Sequence, residues 1–250
     1  MALQEEFEEQ GNFLFKHRGN LPVIIVVLGL AVFAFQRFHE SSENLIPSSI
    51  VEYISLAVSL LGLAIRIYTV GHTPGNTSGR NTKEGQLADE LNTSGIYSTV
   101  RHPLYLGNFF MWLGAAILIE NAWFIIVFVL LYWVYYERIM YAEEQFLRRK
   151  FGKVYTDWAE GTPAFLPSFK AFRKPKYNFS IKKVLKKEKN GLLAIFVLLF
   201  LFHNTGLSIQ NERIVADTDW ICWGTIISGV IYLILKLLKH NTTMLDEKGR

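Results

Sequence analysis

The sequence predicts an all-α protein, a polytopic membrane helix bundle of about six transmembrane helices whose third and fourth helices form a hairpin at the functional site. Three observations predict it. Half of the 250 residues are hydrophobic. They fall into long blocks with few charges, the pattern of membrane spans rather than of a soluble core. The basic residues gather between alternate blocks. Of the 26 Lys and Arg, 21 fall in the N-terminus, residues 71–103, residues 141–190 and the C-terminal tail. With six spans these segments share one side, and the positive-inside rule makes that side cytoplasmic.

Residues 1–20, "MALQEEFEEQGNFLFKHRGN", read as a cytoplasmic N-terminal segment. They lack the short apolar core and small-residue cleavage site of a signal peptide, so the first apolar block is expected to be a retained helix. Spans one and two cover about 21–38 and 50–70. Span three (104–119) is short for a stretch that needs about 20 residues, and only "ENA" separates it from span four (123–140). Spans five and six cover about 192–209 and 220–238, with "HNTG" reading as an interruption in span five. Four segments follow: 1–20; the helix pair 21–70; a central core 71–180; and 181–250, the basic tract "KKVLKKEKN" with the last two spans. The tract reads as topology charge beside the lipid surface. Arg66 and His203, near span ends, read as snorkelling or packed.

Several classes are set aside. The net charge of +4 sits between apolar blocks and favours anionic headgroups, with no basic stripe of the nucleic-acid-binding kind. A single cysteine, Cys222, leaves no intramolecular disulfide and no Cys-rich zinc site, and no metal is expected. Transport sites place charge near the bilayer midplane, whereas here it gathers at one face.

Two polar clusters carry the chemistry. In "LNTSGIYSTVRHPLYLGN", Gly95 supplies a turn and Pro103 suits the first turn of a helix. Span three therefore starts at about His102 or Pro103, its free N–H groups facing the cytoplasmic loop and favouring an anion. Arg101, His102 and Tyr105 add donors there. In "YYERIMYAEEQFLRRKFGKVYTDW", the acids Glu137, Glu143 and Glu144 stand at the membrane boundary and call for partners. Arg138, Arg148, Arg149 and Lys150 are candidates, with Glu144 and Arg148 spaced as a helical i, i+4 pair. Adjacent glutamates point about 100° apart, so one is free to face a site while the other pairs with a surface arginine. The hairpin brings both clusters to one level, where cations and anions converge on a site for a zwitterionic ligand.

"RHPLYLG", followed some 35 residues later by "EEQFLRRKFGKVYTDW", resembles the integral-membrane methyltransferases of the isoprenylcysteine carboxyl methyltransferase and phospholipid methyltransferase superfamily. The lead-in "TSGIYSTV" and the closing "GTPAFLPSF" extend the resemblance over about 80–168. It implies an S-adenosylmethionine cofactor held by Leu91, Asn92, Tyr97, His102, Pro103, Leu104, Tyr105, Glu143 and Glu144, with Gly107 permitting close packing. It implies a membrane-embedded acceptor, a lipid or lipidated substrate. In the isoprenylcysteine enzymes an arginine commonly stands about four residues before the paired acids, proposed to meet a substrate carboxylate. Here Ile139 falls there, with Arg138 beside it. Arg101, Glu137 and Arg138 are the candidate catalytic residues, Glu137 as a base for an amine acceptor. Two alternatives are an NAD(P)H-dependent membrane reductase of the sterol or steroid type and a non-catalytic membrane protein.

Overall fold

The computed structural model describes residues 2–39, 46–75, 77, 81–82 and 85–249. Residues 40–45 and 83–84, parts of loops in the charge argument, lie outside the described residues, as does Arg80. Among the described residues eight α-helices run in order: α1 (Leu3–Lys16), α2 (Asn20–His39), α3 (Ser49–Gly71), α4 (Pro103–Ile117), α5 (Ala122–Phe151), α6 (Lys153–Gly161), α7 (Ile181–Gln210) and α8 (Trp220–Asn241). A two-residue antiparallel pair, β1 (Asn81–Thr82) with β2 (Gly85–Gln86), decorates the loop before α4. Among the described residues α3, α5, α7 and α8 are long and apolar enough to cross a membrane, and Val23–His39 and Pro103–Ile117 are shorter apolar helices. These six are the six predicted spans. Their outer faces expose Leu130, Val134, Ile227 and Leu237, among others, as lipid contact requires.

Helix starts follow local chemistry. The side chains of Ser48, Asn121, Ser180 and Asp219 accept from the backbone N–H groups of Val51, Phe124, Lys183 and Cys222. Pro103 opens α4 at its first turn, where the missing N–H has no helical partner to lose.

The most intimate pair is α3 with α4. Lipid supplies no hydrophobic drive between helices, so small residues that let backbones approach decide the contact. A Cβ on Gly62 would meet the Gly107 carbonyl oxygen and lie 2.6 Å from the Met111 nitrogen. One on Gly114 would lie 2.5 Å from the Ser55 carbonyl oxygen. Ser55 Oγ donates to the Gly114 carbonyl (2.7 Å) and Ser59 Oγ to that of Met111 (3.2 Å). These contacts tie the start of α3 to the end of α4, so the two helices are antiparallel. Predicted to allow close packing, Gly107 faces α3, where a Cβ would lie 2.6 Å from Arg66 Cγ.

Two expectations are corrected, and the N-terminal segment gains a structure. Within residues 1–20, α1 lies across α5, with Gly11 against Ala142 and Phe15 buried. The "HNTG" stretch does not interrupt its helix. His203 Nδ1 lies 2.6 Å from Glu52, and Asn204 Nδ2 donates back to the Phe200 carbonyl (2.9 Å), so each of the two side chains finds a partner without breaking α7. The basic tract is no loop but the first turns of α7. Lys183 is buried there, its Nζ donating to the carbonyls of Thr73 (2.6 Å) and Pro74 (2.8 Å) just past the end of α3. Glu188 is buried too, and Lys186 pairs with Asp246 of the C-terminal tail at 2.5 Å. That tail folds back: Leu245 is buried, Glu247 meets Ser180, and the Gly75 N–H donates to the Gly249 carbonyl (3.0 Å).

Candidate active site

The end of α3, the start of α4, the polar end of α5 and the helix α6 meet at one end of the bundle. The chain before α4 is shaped by Gly95, whose φ of 62° is left-handed and suits glycine. From there the chain zips against the segment after α6. The Gly95 N–H donates to the Arg173 carbonyl (2.9 Å), that of Arg101 to Pro163 (2.9 Å) and that of His102 to Ala164 (3.2 Å). Trp158 Nε1 donates to the Tyr97 carbonyl (3.1 Å). The loop that presents the Arg-His-Pro step is therefore a fixed ledge.

Five side chains interlock at that ledge. Arg101 Nε donates to Glu144 Oε1 (2.9 Å), and its Nη1 donates to the carbonyls of Ala159 (2.8 Å) and Thr162 (3.0 Å) at the end of α6. His102 is buried between two carboxylates: Nε2 lies 2.9 Å from Glu144 Oε1 and Nδ1 lies 3.6 Å from Glu143 Oε2. Tyr105 donates its hydroxyl to Glu143 Oε2 (2.8 Å) and its ring stacks on His102. Tyr132 in turn donates to the Tyr105 carbonyl (2.7 Å). The 100° between adjacent glutamates lets them straddle one imidazole. Glu144 was expected to pair with Arg148 along its own helix. It pairs with Arg101 and His102 instead, because a partly buried fork of donors satisfies both its oxygens.

Burial alone pulls an imidazole towards neutrality, but hydrogen bonds and charge from Glu143 and Glu144 outweigh it and raise His102 above the ordinary histidine value. Burial, then the charge of Glu143, pushes the Tyr97 phenol up, so it stays a neutral donor. A raised histidine value means that its stabilisation is fully present below the unfolded-state value, about 6.5, and is lost as pH rises through the folded-state value. The melting-temperature gap between wild type and His102→Gln is expected to be largest at mildly acidic pH and to shrink above neutrality. A gap that widened with pH would contradict the ion pair.

A pocket opens beside this cluster. Leu91, Asn92, Tyr97, Arg101, His102, Pro103, Leu104, Tyr105 and Glu143 line it. Glu144 lies behind Arg101 and His102, and Gly107 faces α3. The structure does not bring Glu137 and Arg138 to the pocket. Both lie under α1, where the Arg138 guanidinium covers the Phe7 ring at 3.4 Å and Glu137 is half exposed beside it. Ile139 is fully buried.

Sequence reasoning missed part of the wall. Phe15 comes from α1 and Arg18 from the turn after it, Arg66 from α3 and Asn108 from α4, while Phe146, Tyr155 and Trp158 lie just beyond the paired acids. Asn108 stands three residues past Tyr105, on the same helical face, and that spacing was the available signal. Arg66 had none. Its Nε and Nη2 donate to Glu188 Oε2 (2.8 Å) and Oε1 (2.9 Å), and its Nη1 to Asn108 Oδ1 (2.6 Å). The wall thus combines carboxylates, cations and aromatic rings. Such a donor set fits a zwitterionic amino-acid group joined to an aromatic base.

Residues 52–154 match the family model for phospholipid methyltransferases. The nickel-cobalt-cadmium resistance protein NccN of Alcaligenes xylosoxydans xylosoxydans is 28% identical over 65% of this chain and 70% of its own. The protein-S-isoprenylcysteine O-methyltransferase of Tribolium castaneum is 28% identical over 48% of this chain and 43% of its own. That of Schizosaccharomyces pombe is 37% identical over 31% of this chain and 33% of its own. The chain thus spans less than half the length of these two methyltransferases. No solved structure matches it.

Proposed function

We propose, from the premise that this chain belongs to the superfamily of integral-membrane methyltransferases that takes in the phospholipid and isoprenylcysteine enzymes, that it moves a methyl group from S-adenosylmethionine to a carboxylate or amine on a lipid or lipidated acceptor. The observation that carries this reading is the pocket built on Arg101, His102, Tyr105, Glu143 and Glu144 at the mouth of a membrane hairpin. The family match and the relatives' names favour methyl transfer over a nicotinamide-dependent reduction.

Leu91, Asn92, Tyr97, His102, Pro103, Leu104, Tyr105 and Glu143 would hold the cofactor. When bound, it supplies a sulfonium methyl that is already activated. The protein's task is then alignment and exclusion of water, and alignment contributes roughly 7–11 kcal/mol in well-oriented systems. Arg101 and Glu144 do this indirectly. They clamp the ledge to α5 and α6, so His102 and Tyr105 keep their positions. Glu143, oriented by Tyr105 and His102, is the carboxylate that meets a cationic group in the pocket. Glu137 lies outside the pocket and receives no proton-transfer role. The pocket end of the bundle, with both termini, is taken as cytoplasmic on the distribution of Lys and Arg.

The test is methyl transfer itself. Purified protein with a membrane lipid extract and methyl-labelled S-adenosylmethionine is expected to place label in the organic phase. Base-labile label marks an ester, and stable label an N-methyl group. Folded protein that neither transfers label nor binds the cofactor would refute the reading.

A further inference from the structure

Glu188 lies outside the matched stretch 52–154, on α7, yet it reaches the pocket through one contact. Its carboxylate is 4% exposed and is held in a two-point fork by Arg66, which lines the pocket. Arg66 passes the connection on to Asn108, and Asn108 Nδ2 lies 3.4 Å from the Tyr136 hydroxyl. Four helices, α7, α3, α4 and α5, are joined in that order. Arg66 stands five residues before the end of α3 and Asn108 five residues after the start of α4, about 7–8 Å along each helix. The network is therefore the floor of the pocket, on its membrane side.

A floor made of arginine raises an electrostatic difficulty. The acceptor is in lipid, so a methyl donor must turn its cationic sulfonium towards that side. An unpaired guanidinium there repels it, and a low-dielectric site screens the repulsion poorly. We propose that Glu188 is a positioning residue for the methyl donor: by pairing with Arg66 it gives the floor fixed N–H donors without net charge, so the pocket accepts a sulfonium. The inference rests on the donor reading given above. It also gives a role to the first turns of α7.

Equilibrium binding of S-adenosylmethionine and S-adenosylhomocysteine to the whole 250-residue chain in detergent tests it. The second ligand has the same groups without the methyl and its charge. Glu188→Gln leaves Arg66 unneutralised and is expected to lower the ratio of the two affinities, cation over neutral, by about tenfold. Arg66→Met leaves the floor anionic and is expected to move the ratio the other way. Either shift, in a variant shown to be folded, supports the inference. A purely structural role weakens both ligands alike, and an unchanged ratio in the folded variants overturns it. Wild type that binds neither ligand would instead refute the donor reading as a whole.

Discussion

Glu144→Ala is expected to lose methyl transfer by roughly two to three orders of magnitude, with cofactor affinity falling alongside. The carboxylate is the common partner of Arg101 and His102, at 2.9 Å from each. Without it a guanidinium and a buried imidazole face each other with no anion between them. Removing one member of such a pair costs roughly 3–5 kcal/mol of folding stability, and the displaced His102 and Tyr105 lose transition-state alignment, where each factor of ten in rate is about 1.36 kcal/mol. Part of the loss is positional, since Arg101 also ties the ledge to the end of α6. Glu144→Gln keeps acceptor and shape but drops the charge, and is expected to fall in between. Rates from labelled cofactor, with calorimetric binding alongside, give the comparison. Activity within a few-fold of wild type in Glu144→Ala would remove this carboxylate from the site.

Gly62→Val is expected to be the most damaging substitution in the spans. Its Cβ has nowhere to go, because the Gly107 carbonyl and the Met111 backbone lie against it. Over-packing costs about 1–3 kcal/mol where neighbours can shift, and here the neighbours are backbone. If α3 and α4 are pushed apart, Arg66 parts from Asn108 and the floor of the pocket opens. The expected outcome is protein that aggregates on extraction or melts well below wild type. Gly229→Val on α8, where no atom lies within 4 Å, is the control and is expected to extract normally. Equal behaviour of the two variants would show that the close approach is not needed.

The six spans were legible because lipid demands unbroken apolar runs of a set length, and each run became a helix. Pro103 marked the start of α4 for a local reason, its own missing N–H, and local reasons survive folding. What sequence could not show was long-range pairing. Arg66 looked like a snorkelling arginine, while its partner Glu188 waits 122 residues away inside a run of lysines. His203 and Glu52 are a second such pair, separated by 151 residues. For α1 the obstacle was different. It packs on α5 through Gly11, a residue that carries no apolar signal, among glutamates that read as solvent-facing. The site was half visible for the same reasons. Residues adjacent in the two motifs came together, and those from α1, α3 and α6 were beyond reach.

The shortness of α4 has a physical consequence for where it can sit in the bundle. Fifteen residues at about 1.5 Å each span about 22 Å, against roughly 30 Å of hydrocarbon. The helix packed most closely against it, α3, has 23 residues and matches the full thickness. A lipid-facing helix of that length would thin the bilayer at a fraction of a kcal/mol per Å, but no residue of α4 is exposed, so the longer helices packed around it meet the lipid in its place.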